Sequence, residues 1–347
     1  MPKLKISKSV PPASAALALA LLLSGCSLLK PSRKVAVPQL LTPLVEADTA
    51  QMFAEVNRLS AVRSLNARVD VQFLDNSFAE CGIVEKFKTA EGHVIVQRPE
   101  QVYMLIQFLT VRIAEMSSTG GKFWVAVYQG DPRYKQFVKG TNNAVYQKLD
   151  ADGKGASRDC GGGGKKSEEA MQRATVSALS SLRPQHLTEA FLVPAVAPDD
   201  PNRLYAVSES FEEEADTRPQ AKPGARVVRG YYIMTEMEPQ GQGRARVLRR
   251  FWFDRVGALR LARVQSYGDG GRLQTDVVYA APAGFGADGR YRLPSRIELT
   301  RPQERYSIRI TFQDPGAVKV DNQYDSDIFV LKNSSGLPEV DLDARKK

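Results

Sequence analysis

Histidine is almost missing from this chain: His93 and His186 are the two copies in 347 residues. Proton transfer near neutral pH leans on imidazole. With no Gly-x-Ser-x-Gly elbow and no His-Glu-x-x-His helix, hydrolase and metalloprotease chemistry lose their usual carriers. The acid pair Asp199-Asp200 lies in a Pro-rich loop that it solvates. The expectation is a protein that is not an enzyme and has no cofactor. Cysteine is equally sparse, at Cys26, Cys81 and Cys160. A zinc site from Cys81, Cys160, His93 and His186 has none of the paired ligand spacings such sites use, so no metal is expected. The run Gly161-Gly162-Gly163-Gly164-Lys165-Lys166-Ser167 suggests a phosphate loop. It fails because Lys165 stands where that loop needs glycine, and no parallel βαβ pattern surrounds it. Beyond residue 25, no apolar run approaches the ~20 residues that cross a bilayer.

The N-terminus is organised. Lys3, Lys5 and Lys8 form a positive segment, Ala15 to Leu23 an apolar one, and Leu23-Ser24-Gly25-Cys26 follows. That is a secretory layout, and its last four residues resemble a bacterial lipobox. The resemblance implies that Cys26 becomes the first mature residue and carries lipid, with residues 1–25 removed. Ser27 beside it fits delivery to the periplasmic face of the outer membrane. The chain has a formal net charge of +9. Residues 1–25 hold three lysines and no acid, so 322 residues with charge +6 remain. The balance suits an anionic membrane surface better than nucleic acid. An exported protein can keep a disulfide, so Cys81 and Cys160 either bridge or stay free.

Residues 26–42, with Pro31 and Pro38 and no periodicity, read as a flexible tether. Val45, Met52, Val56, Leu59 and Val62 recur at helical spacing, which predicts a helix over 43–62. The period then drops to two. Strict alternation over 64–73 predicts a half-buried strand, and strands are expected near 82–89, 92–98, 101–108, 111–118 and 122–128. Residues 149–167 read as a Gly-rich inserted loop, 167–182 as a second helix behind Ser167, and 187–192 as a short helical turn. Strands return at 203–211, 226–237, 244–254, 259–267, 272–280, 294–300 and 305–313, with a polar inserted loop at 212–224. The fold class is mainly β with a few helices: about a dozen antiparallel strands in one curved sheet, within a single domain over 43–343.

From Arg226 to Arg309 there are 16 arginines, no lysine and 8 acids. Many arginines alternate, which predicts one wet, basic sheet face. Elsewhere strands are apolar on both faces: 103–108, 123–128, 231–234 and 251–253. Such strands need cover on two sides or a greasy ligand on one. Two helices cover a dozen strands poorly, which points to an apolar cavity. On strand parity its lining is Phe73, Met104, Ile106, Trp124, Phe251 and Phe253. Each methylene withdrawn from water contributes about 0.8 kcal/mol, so one acyl chain would supply useful affinity.

Several segments together carry a resemblance: Arg98-Pro99-Glu100, the stretch from Met116 to Val125, Phe251-Trp252-Phe253-Asp254-Arg255, Leu293-Pro294-Ser295-Arg296-Ile297 and Asp327-Ile328-Phe329-Val330-Leu331. The chain resembles the LolA/LolB-like lipoprotein carrier and receptor superfamily over roughly 43–343. That resemblance implies an incomplete antiparallel barrel, closed by two or three helices around a hydrophobic cavity. It also implies binding of acyl chains of lipoproteins or other lipids, a role in outer-membrane lipoprotein localisation as in LolB, and a periplasmic carrier or envelope protein as partner. The loops at 149–167 and 212–224 depart from the smaller members. The alternative is an outer-membrane scaffold or sensor lipoprotein that binds a protein partner through the Arg-rich face.

Overall fold

A computed structural model describes residues 37–75, 85–86, 89–129, 132, 135–142, 144 and 184–345. The signal segment, Cys26, Cys81, Cys160, the 149–167 loop and the helix expected over 167–182 lie outside the described residues.

The described residues hold β1 (Gln39–Leu40), α1 (Thr49–Ser60), β2 (Ser64–Asp75), β3 (Glu85–Lys86), β4 (Ala90–Gln97), β5 (Gln101–Phe108), β6 (Val111–Thr119), β7 (Lys122–Val127), β8 (Phe137–Thr141), α2 (Pro184–Phe191), β9 (Leu204–Ala215), β10 (Arg226–Gly241), β11 (Arg244–Asp254), β12 (Arg260–Tyr267), β13 (Leu273–Phe285), β14 (Tyr291–Arg301), β15 (Tyr306–Phe312), β16 (Lys319–Val320) and β17 (Glu339–Asp341). Strands β9 to β15 pair antiparallel, each with the next. β15 pairs with β2, and β2, β4, β5, β6, β7 and β8 continue the ladder antiparallel. The result is one long sheet, open between β9 and the β8–β17 edge, with both helices on its inward face. It is the incomplete antiparallel barrel that the resemblance implies.

The first helix starts later than 43. Asp48 caps it, accepting from the Gln51 amide at 2.8 Å while the Gln51 side chain accepts from the Asp48 amide at 2.9 Å. That reciprocal pair is worth about 1 kcal/mol and sets the boundary. Met52, Val56 and Leu59 face the sheet, buried. Ahead of the helix, residues 37–42 are not free tether. Gln39 and Leu40 pair parallel with Val227 and Val228, and Leu41 is buried. The loop expected at 212–224 is shorter than predicted. Glu212, Glu213 and Glu214 continue β9, since each finds its register opposite β10. Arg226 donates to Glu213, Arg229 to Glu214 and the Ser210 hydroxyl to Glu212, so three successive acids are tolerated in a strand.

The strands that read as apolar on both faces receive their cover from the chain itself. On the inward side lie α1, α2 and the segment after α2. On the outward side of β5–β7, the C-terminal arm lies across the sheet. Phe329, fully buried, sits in a turn that packs on β5 and β6. Gln97 clamps Tyr324 by two backbone hydrogen bonds of 2.8 and 3.1 Å. β17 then pairs parallel with β8, a strand the sequence reading missed. On β10–β12, Tyr231 and Trp252 meet edge to face at 5.7 Å, with Arg263 over the indole at 5.4 Å.

Candidate functional site

Five neighbouring strands change character at one end of the inward face. One row across the sheet reads Met234, Phe251, Val264, Val277 and Leu299, each the register partner of the next. All five are buried and apolar. Two residues along each strand, on the same face, stand Glu236, Arg249, Ser266, Thr275 and Arg301. Glu236 pairs with Arg249, Arg249 with Ser266 and Ser266 with Thr275. The Arg301 guanidinium donates to the Thr275 hydroxyl at 2.5 Å. A polar row therefore borders apolar rows in register across five strands.

This polar row floors a recess of about 580 Å³. Its other wall is α2 and the segment that follows: His186, Glu189, Pro194, Ala195 and Ala197. Most charges in it are matched. Glu236, 3% exposed, accepts from Arg249 and lies 3.5 Å from Arg203, and Tyr205 donates to it at 3.3 Å. Burial, then the Glu236 charge, pushes the Tyr205 phenol up. Arg301 is held by Glu304 at 2.8 and 3.2 Å. Glu189 is different. It makes no hydrogen bond or ion pair among the described residues. Its side chain is exposed to the recess, with protein crowded around it. That loss of solvation pushes its carboxyl above the usual range, Arg301 and Arg249 pull it back, and Glu100 adds to the rise.

The apolar side of this boundary leads to a void of about 20 Å³, lined by Leu59, Val62, Phe191, Val193, Tyr279 and Ile297 among others. It has room for about one water molecule. Tyr279 lines the void, and burial, then the Glu189 charge, pushes its hydroxyl up. Arg98, from the Arg98-Pro99-Glu100 segment, pins the void's rim. It donates to the Val62 carbonyl at 2.9 Å and to the Val193 carbonyl at 2.8 Å.

Of the residues predicted to line a cavity, Phe73, Met104, Ile106, Phe251 and Phe253 lie on the inward face in the packed core. Trp124 lies on the reverse face, half-buried opposite Ser117, while its neighbours Phe123 and Val125 point inward. His93 is a strand residue bonded through Nε2 to Asn66 at 2.7 Å. Its pKa is lowered by burial, then by Arg68 and Lys319. The basic face is largely neutralised: Arg226, Arg229, Arg246, Arg260, Arg263 and Arg309 all sit in cross-strand ion pairs. The polar row was missed by sequence reasoning. Its only signal is one polar residue at inward parity in each of five strands, and that is visible only once the strands are in register.

No family model matches the chain, and no curated protein matches it. Several solved structures are similar to it, three of which follow. A LolA superfamily protein of Nitrosomonas europaea is 13% identical, with 82% of this chain and 99% of that one covered and a TM-score of 0.38. A DUF1329 family protein of Desulfovibrio piger is 12% identical, covering 82% and 96%, with a TM-score of 0.41. A domain described as an outer membrane lipoprotein-sorting protein, from Vibrio parahaemolyticus, is 11% identical, covering 81% and 94%, with a TM-score of 0.37.

Proposed function

We propose that this chain is a lipid-anchored envelope protein that binds acyl chains of lipids or lipoproteins against the inward face of its sheet. The observation that carries the reading is the boundary on β10–β14, where a polar row abuts continuous apolar rows. Amphipathic ligands fit such a boundary, because head and chain each find their own solvent. The form described here is filled by the protein's own α2, whose Leu187, Ala190 and Phe191 are buried in the core. A chain enters beside α2, which stays in place, by parting Leu59, Phe191 and Val193 around the 20 Å³ void. Cys26, within Leu-Ser-Gly-Cys, supplies the anchor, and Ser27 suits the periplasmic face of the outer membrane. Handover from a periplasmic carrier follows as the physiological context, without catalysis.

The test is equilibrium binding of a fluorescent sixteen-carbon fatty acid to delipidated protein. Saturable uptake, displaced by unlabelled fatty acid, is the expected result. Uptake that never saturates, or that a denatured sample reproduces, overturns the proposal.

A further inference from the structure

We infer that the recess over the polar row is a headgroup site for a zwitterionic, phosphoethanolamine-type lipid. The inference deepens the acyl-chain reading and rests on it for the ligand's tail. Three observations carry it. The recess, at about 580 Å³, is the size of a small-ligand site and opens onto the same inward face as the apolar rows. The charges lining it cancel, Arg203, Arg249 and Arg301 against Glu189, Asp200 and Glu236, and Glu304 pairs with Arg301. A net anion gains little there, whereas a headgroup carrying both signs meets both. Finally, the groups left over have the right polarity. Glu189 is a carboxylate without a partner among the described residues, placed for an ammonium group. Arg249 commits Nε to Glu236 and Nη2 to the Ala195 carbonyl, which leaves Nη1 free to donate to a phosphate oxygen. Arg203 commits Nη1 to the Asn202 carbonyl and keeps Nη2 for the same purpose. Along the inward face of β13 the order is Thr275 in the recess, Val277, then Tyr279 at the void, which sets the direction from head to tail.

Calorimetric titration of the mature chain separates the possibilities. The probes are dihexanoyl phosphatidylethanolamine, dihexanoyl phosphatidylglycerol, dihexanoylglycerol, glycerophosphoethanolamine and inorganic phosphate. The ethanolamine lipid is expected to bind about tenfold more tightly than the glycerol lipid and than dihexanoylglycerol. Glu189→Gln is expected to remove the preference over the glycerol lipid. This substitution changes a wetted side chain of the same shape, so the fold is retained. Glycerophosphoethanolamine is expected to bind more tightly than inorganic phosphate. Equal affinity for all three dihexanoyl ligands overturns the headgroup site and leaves the acyl reading standing. Phosphate binding as well as glycerophosphoethanolamine also overturns it, and marks a free-anion site. If glycerophosphoethanolamine binds and the tails add nothing, the acyl reading fails while the headgroup site survives.

Discussion

Glu115 shows how this sheet hides a charge on its outward face. It is 8% exposed, and both its oxygens accept short bonds, from Tyr103 and Tyr128, each 2.5 Å. Burial, then the bond to Glu115, pushes both phenols up. Glu115→Gln keeps the shape but turns one acceptor into a donor facing a hydroxyl. The expected cost is about 2 kcal/mol, read as a lower urea midpoint with unchanged slope. Glu189 behaves in the opposite sense. Its folded pKa is raised, so the folded state holds its proton more tightly than the unfolded chain. Stability is greatest below the unfolded value and declines as pH rises through the folded one. The ligand-free E189Q protein is therefore expected to melt above the parent at neutral pH and level with it in acid. A parent Tm that does not fall relative to E189Q across that window would show that Glu189 is fully solvated. Trp124 illustrates what residue-level reading can and cannot reach. Its hydrophobicity was plain, but on a strand with apolar residues at both parities, nothing local says which side is inward. Phe123 and Val125 took that side.

At the scale of elements, the strands were legible because alternation survives wherever one face is wet. Ser64–Asp75, Gln101–Phe108 and Arg244–Asp254 fall where periodicity put them. Two kinds of element escaped. The short strands β8 and β17 are too brief for a pattern, and they pair because Glu339 to Asp341 returns along β8. The end of β9 was hidden by three glutamates, of which Glu213 and Glu214 have their cations on the next strand. The same limit hid the polar row, which belongs to no one strand. α2 is the element on which the proposed function turns. Arg98 ties it down through the Val193 carbonyl and ties α1 down through the Val62 carbonyl. Arg98→Met preserves most of the stem and removes both bonds. It is expected to cost about 1–3 kcal/mol and to speed amide exchange over Leu187 to Val193 more than over β13. Uniform acceleration across the sheet would contradict a local role. Val193→Ile adds one methylene beside the void, which has little room to spare. It is expected to raise stability by up to about 0.8 kcal/mol while slowing fatty-acid uptake.

Taken whole, the molecule solves the problem its sequence poses. A single open sheet of this length carries apolar residues on both sides of several strands, and two described helices cover only the inward one. The C-terminal arm covers β5–β7 outside, with Phe329 as its anchor, and arginine stems cover the aromatics of β10–β12. Removing residues 323–347 would uncover Trp124, Tyr103 and Ser117, whose hydroxyl is buried without a partner among the described residues. The truncated protein is expected to bind a hydrophobic dye and to melt lower, with the inward face still able to take up fatty acid. Arm and α2 therefore act on opposite faces, and their losses should be separable.

The most direct measurement is native mass spectrometry of the full-length protein, released gently from its own membranes. The account predicts a covalent lipid at Cys26 and, beyond it, a second population heavier by one non-covalent lipid, lost on mild activation. A protein that carries only its anchor, in repeated preparations and after incubation with excess phospholipid, would contradict it.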